Sequence, residues 1–328
     1  MKILILGGTR FVGRHIVTLA RAMRHELTLF NRNQSTPGLF RRIATPIHGD
    51  RETDLDKLQG EWDVVIDTCG YLPRIVKKSA EFLKDRVGRY VFISSISVYA
   101  DFKRNGIDES YPVGKLQNES VEEITGETYG PLKALCEKTV QDVYGAEAII
   151  IRPGLIVGPH DPTDRFTYWP VRIARGGDIL APDRPDAMTQ IIDARDLAFF
   201  INNIILKSGT GTFNVTGNPI TLNTIFETCK RVSKSDARFK WAPVEFLEKH
   251  HVEPWSDMPA WLPETGENAG VSNVDISRAL NAGLTFTPLA QTIKDIYEWE
   301  TERPAGSELK AGLKPEREKE LLELLRVQ

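Results

Sequence analysis

Three tyrosine–lysine pairs in this 328-residue chain stand four positions apart: Tyr99/Lys103, Tyr111/Lys115 and Tyr129/Lys133. On a helix such a pair shares one face. There an ammonium lowers the phenol's pKa from its ordinary value of about 10, making it a usable general acid or base. A hydroxyl at a strand end can then hold a substrate oxygen against the tyrosine. The pattern alone is common, and context separates the three copies. Pro112 and Gly114 follow Tyr111, so no helix carries Lys115 onto its face. Tyr99 closes a strand-like run, and Asp101 to Asp108 is turn-like. Only Tyr129-Gly-Pro-Leu-Lys133 opens a long helical pattern (Leu132, Leu135, Cys136, Thr139, Val140, Val143), with Pro131 in a first turn that tolerates it.

What must position these groups begins at the N-terminus. The apolar run Ile3 to Leu6 breaks into Gly7-Gly8, Gly13 follows, and Ile16, Val17, Leu19 and Ala20 repeat at helical spacing. Glu26 to Phe30 is a second strand. Strand, glycine loop, helix and strand form the first half of a dinucleotide-binding unit, in which a free helix N-terminus meets a pyrophosphate. Gly7, Gly8, Thr9, Arg10, Phe11, Val12 and Gly13 are its candidate contacts. The spacing is G-G-x-x-x-x-G, with Arg10 at the middle position of a G-x-x-G-x-x-G pattern. A Walker loop needs Lys and Ser or Thr where Arg14 and His15 stand. A tight turn in some other α/β protein is the plainer alternative.

Asn31-Arg32-Asn33 follows the second strand, without the acidic residue that accepts hydrogen bonds from the ribose of NAD. Arg32 and Arg10 are placed to meet a 2′-phosphate, so NADP(H) is the preferred cofactor with NAD(H) possible; the alternative is that both arginines face water. Thr45 to Asp50 reads as a third strand ending beside the adenine, which adds Asp50 and Arg51 to the cofactor contacts. Trp62 to Gly70 is a buried fourth strand that delivers Thr68, Cys69 and Gly70 to the same groove.

Pro73 to Lys84 has helical spacing, Arg89 to Tyr99 is a fifth strand, and polar residues 101–127 form a long surface excursion. Ala148 to Pro153 is a sixth strand. This alternation predicts an α/β fold, a Rossmann-type doubly wound parallel sheet over residues 1–153 with parts of 188–217. Residues 154–187 and 218–304 read as a smaller substrate lobe, rich in Trp and Pro between 240 and 270. Residues 305–328 form a helical tail whose charged, amphipathic helix runs from Pro315 to Leu325. Asp193 or Asp196 caps a helix, and a strand at Gly211 to Thr216 precedes a helix starting at Thr221. His160 and Arg165 border the site.

Of the residues, 41% are apolar and 27% charged, with a formal net charge of −3, which gives no electrostatic footprint for nucleic acid or an anionic membrane. Three scattered cysteines fit a reducing compartment, and neither they nor His250-His251 offer metal-ligand spacing. The apolar runs are short, so a cytoplasmic location without membrane contact is expected.

Taken in order, the opening loop, Ser94-Ser-Ile-Ser-Val-Tyr99, Tyr129-Gly-Pro-Leu-Lys133, Arg152-Pro-Gly-Leu-Ile-Val-Gly-Pro159 and Ile192-Asp-Ala-Arg-Asp196 resemble the extended and atypical short-chain dehydrogenase/reductases, the NAD-dependent epimerase/dehydratase group. The likeness covers most of residues 1–217. The variant glycine loop is similar to a subgroup with isoflavone-reductase-like and chloroplast stem-loop-binding relatives. The resemblance implies that Tyr129 is the catalytic acid/base, that Lys133 binds the nicotinamide ribose and depresses the tyrosine's pKa, and that Ser95 orients the substrate oxygen, with Ser94 as fallback. Pro153 and Ile156 would line the nicotinamide, and a homodimer through the helices near Pro73 and Tyr129 would follow.

Three departures stand out. Arg10 replaces a glycine, the helix before Tyr90 lacks an asparagine, and Met188-Thr189-Gln190 stands where sugar-nucleotide enzymes carry an arginine. Arg32 and the missing arginine lean the reading toward an NAD(P)-dependent oxidoreductase acting on a small carbonyl or hydroxyl substrate. A cofactor-recycling epimerase or dehydratase is the alternative, and a cofactor-bound RNA-binding protein is the second.

Overall fold

A computed structural model of the chain describes residues 1–304 and 306–327. Ala305, where the sequence places the start of the tail, and Gln328 lie outside the described residues. The first half alternates as the apolar pattern requires: β1 (Lys2–Leu6), α1 (Phe11–Ala22), β2 (Glu26–Asn31), β3 (Thr45–His48), β4 (Trp62–Asp67), α2 (Pro73–Leu83), β5 (Val87–Ile93), α3 (Gly126–Tyr144) and β6 (Ala148–Pro153). There follow β7 (Leu155–Val157), α4 (Tyr168–Ala174), β8 (Asp178–Pro182), β9 (Met188–Thr189), β10 (Ile191–Asp193), α5 (Ala194–Leu206) and β11 (Gly211–Val215). The chain closes with β12 (Ile220–Thr221), α6 (Leu222–Ser233), β13 (Arg238–Ala242), α7 (Val244–Lys249), α8 (Ser277–Asn281), α9 (Leu289–Glu300) and α10 (Pro315–Arg326).

Seven strands form one parallel sheet in the order β11-β6-β5-β4-β1-β2-β3. Order reverses between β1 and β4, which opens the crevice at the carboxyl ends of these strands where such sheets bind ligands. The central strands are apolar on both faces because helices cover both. Ile3, Ile5, Val64, Ile66 and Val91 pack under α1 and α5, while Leu4, Val65, Tyr90, Phe92 and Ile150 pack under α2 and α3. A separate core around Phe166, Trp169, Phe226, Leu247 and Trp261 fills the C-terminal half. Leu321 of α10 is fully buried in that core, and Glu318 hydrogen-bonds Arg172 and the Leu180 amide.

Three local expectations change. The strand expected from Arg89 to Tyr99 ends at Ile93, because Ser95 turns the chain: its hydroxyl accepts from the Ser97 amide and starts a 3-10 turn at Ile96–Val98. The long helix starts at Gly126, where Thr125 and Thr128 form a reciprocal cap, so Pro131 falls in the second turn rather than the first. The cap of α5 is Asp193, which accepts from the Arg195 amide; Asp196 instead holds Thr287. The excursion over residues 101–125 carries no helix or strand, but bridges between Tyr99 and Val113 and between Ile107 and Val274 tie it down.

Candidate functional site

At the end of β1 the chain enters the glycine loop. Gly7 has φ +93°, and a Cβ there would meet the Thr68 hydroxyl at 2.5 Å, so only glycine fits. The same hydroxyl donates to the Leu6 carbonyl and accepts from the Gly8 amide, locking loop to β4. Asn31 fixes the other side by donating to the Gly7 carbonyl. Arg10 precedes α1 with φ −114° and no side-chain cap, so an arginine is unstrained there; Phe11 carries a positive φ of 28° instead. The uncapped N-terminus of α1 fits a pyrophosphate, and Phe11, Val12 and Gly13 would supply its amides.

At the adenosine end the residues separate. Arg32 is exposed and lies 3.8 Å from the Asp50 carboxylate. Arg51 departs from its expected role. Its guanidinium makes two 2.8 Å hydrogen bonds to Asp67 and one to the Ser79 hydroxyl, and its side chain is 11% exposed. Asp67, which also accepts from the Tyr90 hydroxyl and the Cys69 amide, is fully buried at the end of β4. Burial pushes its carboxyl up, but Arg51 outweighs that and holds it below the usual range. Arg51 therefore answers a buried charge and is not free for a cofactor. Cys69 is half-buried beside it, its thiol pushed up by burial.

Tyr129 and Lys133 share α3, one turn apart. The tyrosine is half-buried and sits beside Ser95. Burial pushes its phenol up to about 12, and the Ser95 hydroxyl and the Arg165 charge only partly offset that. The expected depression by Lys133 does not appear. The lysine ammonium is directed to the sheet, donating to the carbonyls of Gly70 at 2.7 Å and Ile93 at 2.6 Å, with the Phe92 ring face 4.2 Å away. Burial lowers its pKa to about 8. Ser94 is buried with an unpartnered hydroxyl, Pro153 is buried at the end of β6, and Ile156 is half-buried in β7.

The other two pairs are held elsewhere. Tyr99 is buried, donating to Asn214 at 2.6 Å and accepting from Arg152, while Lys103 meets Glu267. Tyr111 donates to Asp101. Gln190, in the Met188-Thr189-Gln190 segment that lacks the arginine, is buried and bridges the Gly217 and Val274 backbone. The sequence reading missed the buried Arg152–Glu137 pair, with its shortest contact at 2.6 Å, behind α3. It also missed Tyr71, whose exposed ring covers the Lys133 ammonium. Among the described residues no cluster of His, Cys, Asp or Glu has metal-binding geometry, and no helix is long and apolar enough to cross a membrane.

A parallel sheet with a glycine loop at its switch point and a tyrosine–lysine helix at its carboxyl edge defines a Rossmann-type α/β fold. Residues 73–216 match the NAD dependent epimerase/dehydratase family. The chain is 26% identical over 259 residues to the chloroplast stem-loop binding protein of 41 kDa b of Arabidopsis thaliana, covering 70% of this chain and 62% of that protein. It thus spans less than two thirds of the length of that relative. Its fold is similar to UDP-glucuronic acid 4-epimerase from Bacillus cereus in complex with NAD, at TM-score 0.66 and 16% identity over 92% of this chain and 99% of the other. It is also similar in fold to UDP-N-acetylglucosamine 4-epimerase from Methanobrevibacter ruminantium M1 in complex with UDP-N-acetylmuramic acid, at TM-score 0.68 and 18% identity, covering 92% of this chain and 98% of the other. At such identities the likeness is one of fold.

Proposed function

We propose that this chain catalyses reversible hydride transfer at a carbinol or carbonyl carbon of a small substrate, with Tyr129 as acid/base, Ser95 holding the reacting oxygen and Lys133 holding the nicotinamide ribose. The observation that carries the reading is the placement of Tyr129 beside Ser95, one helical turn from an ammonium buried at the carboxyl edge of the sheet. A bound dinucleotide supplies the hydride acceptor or donor. Gly7, Gly8, Thr9, Phe11, Val12 and Gly13 would hold its pyrophosphate, Asn31, Arg32 and Asp50 its adenosine end, and Thr68, Cys69, Gly70, Pro153 and Ile156 its nicotinamide half. With its pKa near 12 the phenol is protonated at neutral pH, which makes it the proton donor to a carbonyl oxygen; the base role requires a neighbouring positive charge to lower it.

The lean toward a reductase rests on Arg32 and on Met188-Thr189-Gln190 in place of an arginine-bearing segment. A cofactor-recycling epimerase or dehydratase is favoured by the family that residues 73–216 match. The same Ser95, Tyr129 and Lys133 serve both. Arg32 beside the 2′ position supports NADP(H), whereas Asp50 at 3.8 Å brings a carboxylate that an added phosphate would meet. Native mass spectrometry of the purified protein, followed by NADPH and NADH titration, separates these readings. A dinucleotide that co-purifies and is not consumed during turnover supports recycling. An empty protein that binds NADPH more tightly than NADH supports the reductase, and binding of neither overturns the enzyme reading. The stem-loop binding relative makes RNA the control ligand: tight RNA binding unaffected by Tyr129→Phe would move the function away from Tyr129.

A further inference from the structure

The ammonium of Lys133 has two carbonyl acceptors and two aromatic faces. Three of these neighbours belong to buried backbone or core: Gly70, Ile93 and Phe92. The fourth is different. Tyr71 follows Gly70 directly, lies with its ring centre 5.3 Å from the Lys133 nitrogen, and is 46% exposed, yet Lys133 beneath it is only 3% exposed. A large, half-exposed aromatic ring between solvent and a dry ammonium is a cover, and it leaves one of the three lysine N–H groups uncommitted.

We propose that Tyr71 is a positioning residue whose ring shields the Lys133 ammonium from water and holds it against the Gly70 and Ile93 carbonyls, so that it meets the dinucleotide ribose as a pre-placed donor. This rests on the reading of Lys133 as the ribose-binding residue. The titratable and charged groups that face the ammonium are Asp67 and Cys69 at the end of β4 and Cys136 and Glu137 on α3. Asp67 is already paired with Arg51 and Glu137 with Arg152, so neither carboxylate touches it as an ion pair. Burial is the largest influence on its proton affinity. Removing the cover should therefore act mainly by letting water in, which favours the charged form. Loss of the ring face removes a weaker attraction of opposite sign.

The test is lysine side-chain titration by NMR with 13C-labelled lysine in the cofactor-free protein, with Lys133→Met used to assign the signal. In the unsubstituted protein Lys133 should titrate well below the other lysines. Tyr71→Phe, which keeps the ring, should leave that midpoint in place. Tyr71→Ala should raise it by about one pH unit or more toward the ordinary lysine value, and should weaken dinucleotide binding with it. Tyr71→Leu, which keeps an apolar cover, should fall between. An unmoved midpoint in Tyr71→Ala overturns the proposal while leaving the role of Lys133 standing. If instead Lys133→Met binds dinucleotide and turns over normally, the underlying reading fails whatever Tyr71 does.

Discussion

Burial shifts the pKa values of Lys133 and Tyr129 in opposite directions, each toward the neutral form, and each predicts a measurement. Replacing Tyr129 by Phe removes the proposed proton donor while keeping the ring. Turnover should fall by about 10²–10⁴-fold with dinucleotide affinity nearly unchanged, read from steady-state kinetics and a binding titration. For Lys133 the consequence is thermodynamic. Its folded pKa of about 8 lies below the unfolded value of about 10.4. Below pH 8 both states hold the proton and burial of the charge opposes folding in full. Between pH 8 and about 10.4 the folded chain releases the proton that the unfolded chain keeps, so stability rises with pH. Lys133→Met lacks this dependence. Denaturant unfolding at pH 7 and pH 10.5 should show the unsubstituted protein gaining roughly 3 kcal/mol relative to Lys133→Met across that interval. A constant difference would place the ammonium in water. Little of this was readable in advance. Tyr129 and Lys133 announced themselves by spacing, but spacing carries no burial. Without burial the phenol was expected to be lowered by its neighbour, whereas the structure pushes it up.

At the level of elements, the approach of α3 to the turn after β5 decides whether Tyr129 meets Ser95. Gly130 is the contact: a Cβ there would lie 1.9 Å from the Ser97 carbonyl oxygen, which is backbone and cannot rotate away. Gly130→Ala should cost about 1–3 kcal/mol by overpacking and should lower turnover by shifting Tyr129 from Ser95; thermal unfolding and kinetics report the two effects separately. Behind the same helix, Glu137 is the sole carboxylate partner of Arg152 among the described residues. Glu137→Ala leaves a buried guanidinium without its counter-charge, and a loss of about 3–5 kcal/mol is expected in chemical denaturation. The helices and strands themselves were largely legible, because apolar runs such as Ala148 to Pro153 and the periodic face of α3 state their period openly. Their ends were less so. The turn at Ser95 comes from one side-chain hydroxyl bonded to one amide, and the reciprocal cap at Thr125 from two threonines; local polar chemistry of this kind leaves no mark in an apolar pattern. Arg51 failed for a related reason, since its partner Asp67 is distant in sequence and only the sheet brings them together.

At the scale of the whole molecule, the last turns of the chain reach back to support the lobe. Arg172 bonds Glu318, which also receives the Leu180 amide. Glu318→Ala strands both donors in a buried place, so thermal unfolding should begin at lower temperature, with a cost of about 1–3 kcal/mol, while dinucleotide affinity at low temperature stays the same.

The sheet has another property at this scale. Its outermost strand on one side, β11, is made after the whole segment containing α4, β8 and α5, yet it pairs with β6 and its Asn214 completes the contacts of Tyr99 and Glu109. During synthesis β6, the run Ala-Ile-Ile-Ile-Arg-Pro, therefore waits with one hydrogen-bonding edge unmade until β11 emerges. An open edge of that composition is a template for association between nascent chains. The order in which the ribosome delivers the strands thus makes yield of soluble protein sensitive to translation speed between residues 153 and 211, and slowing growth or supplying a holdase should help most in that interval.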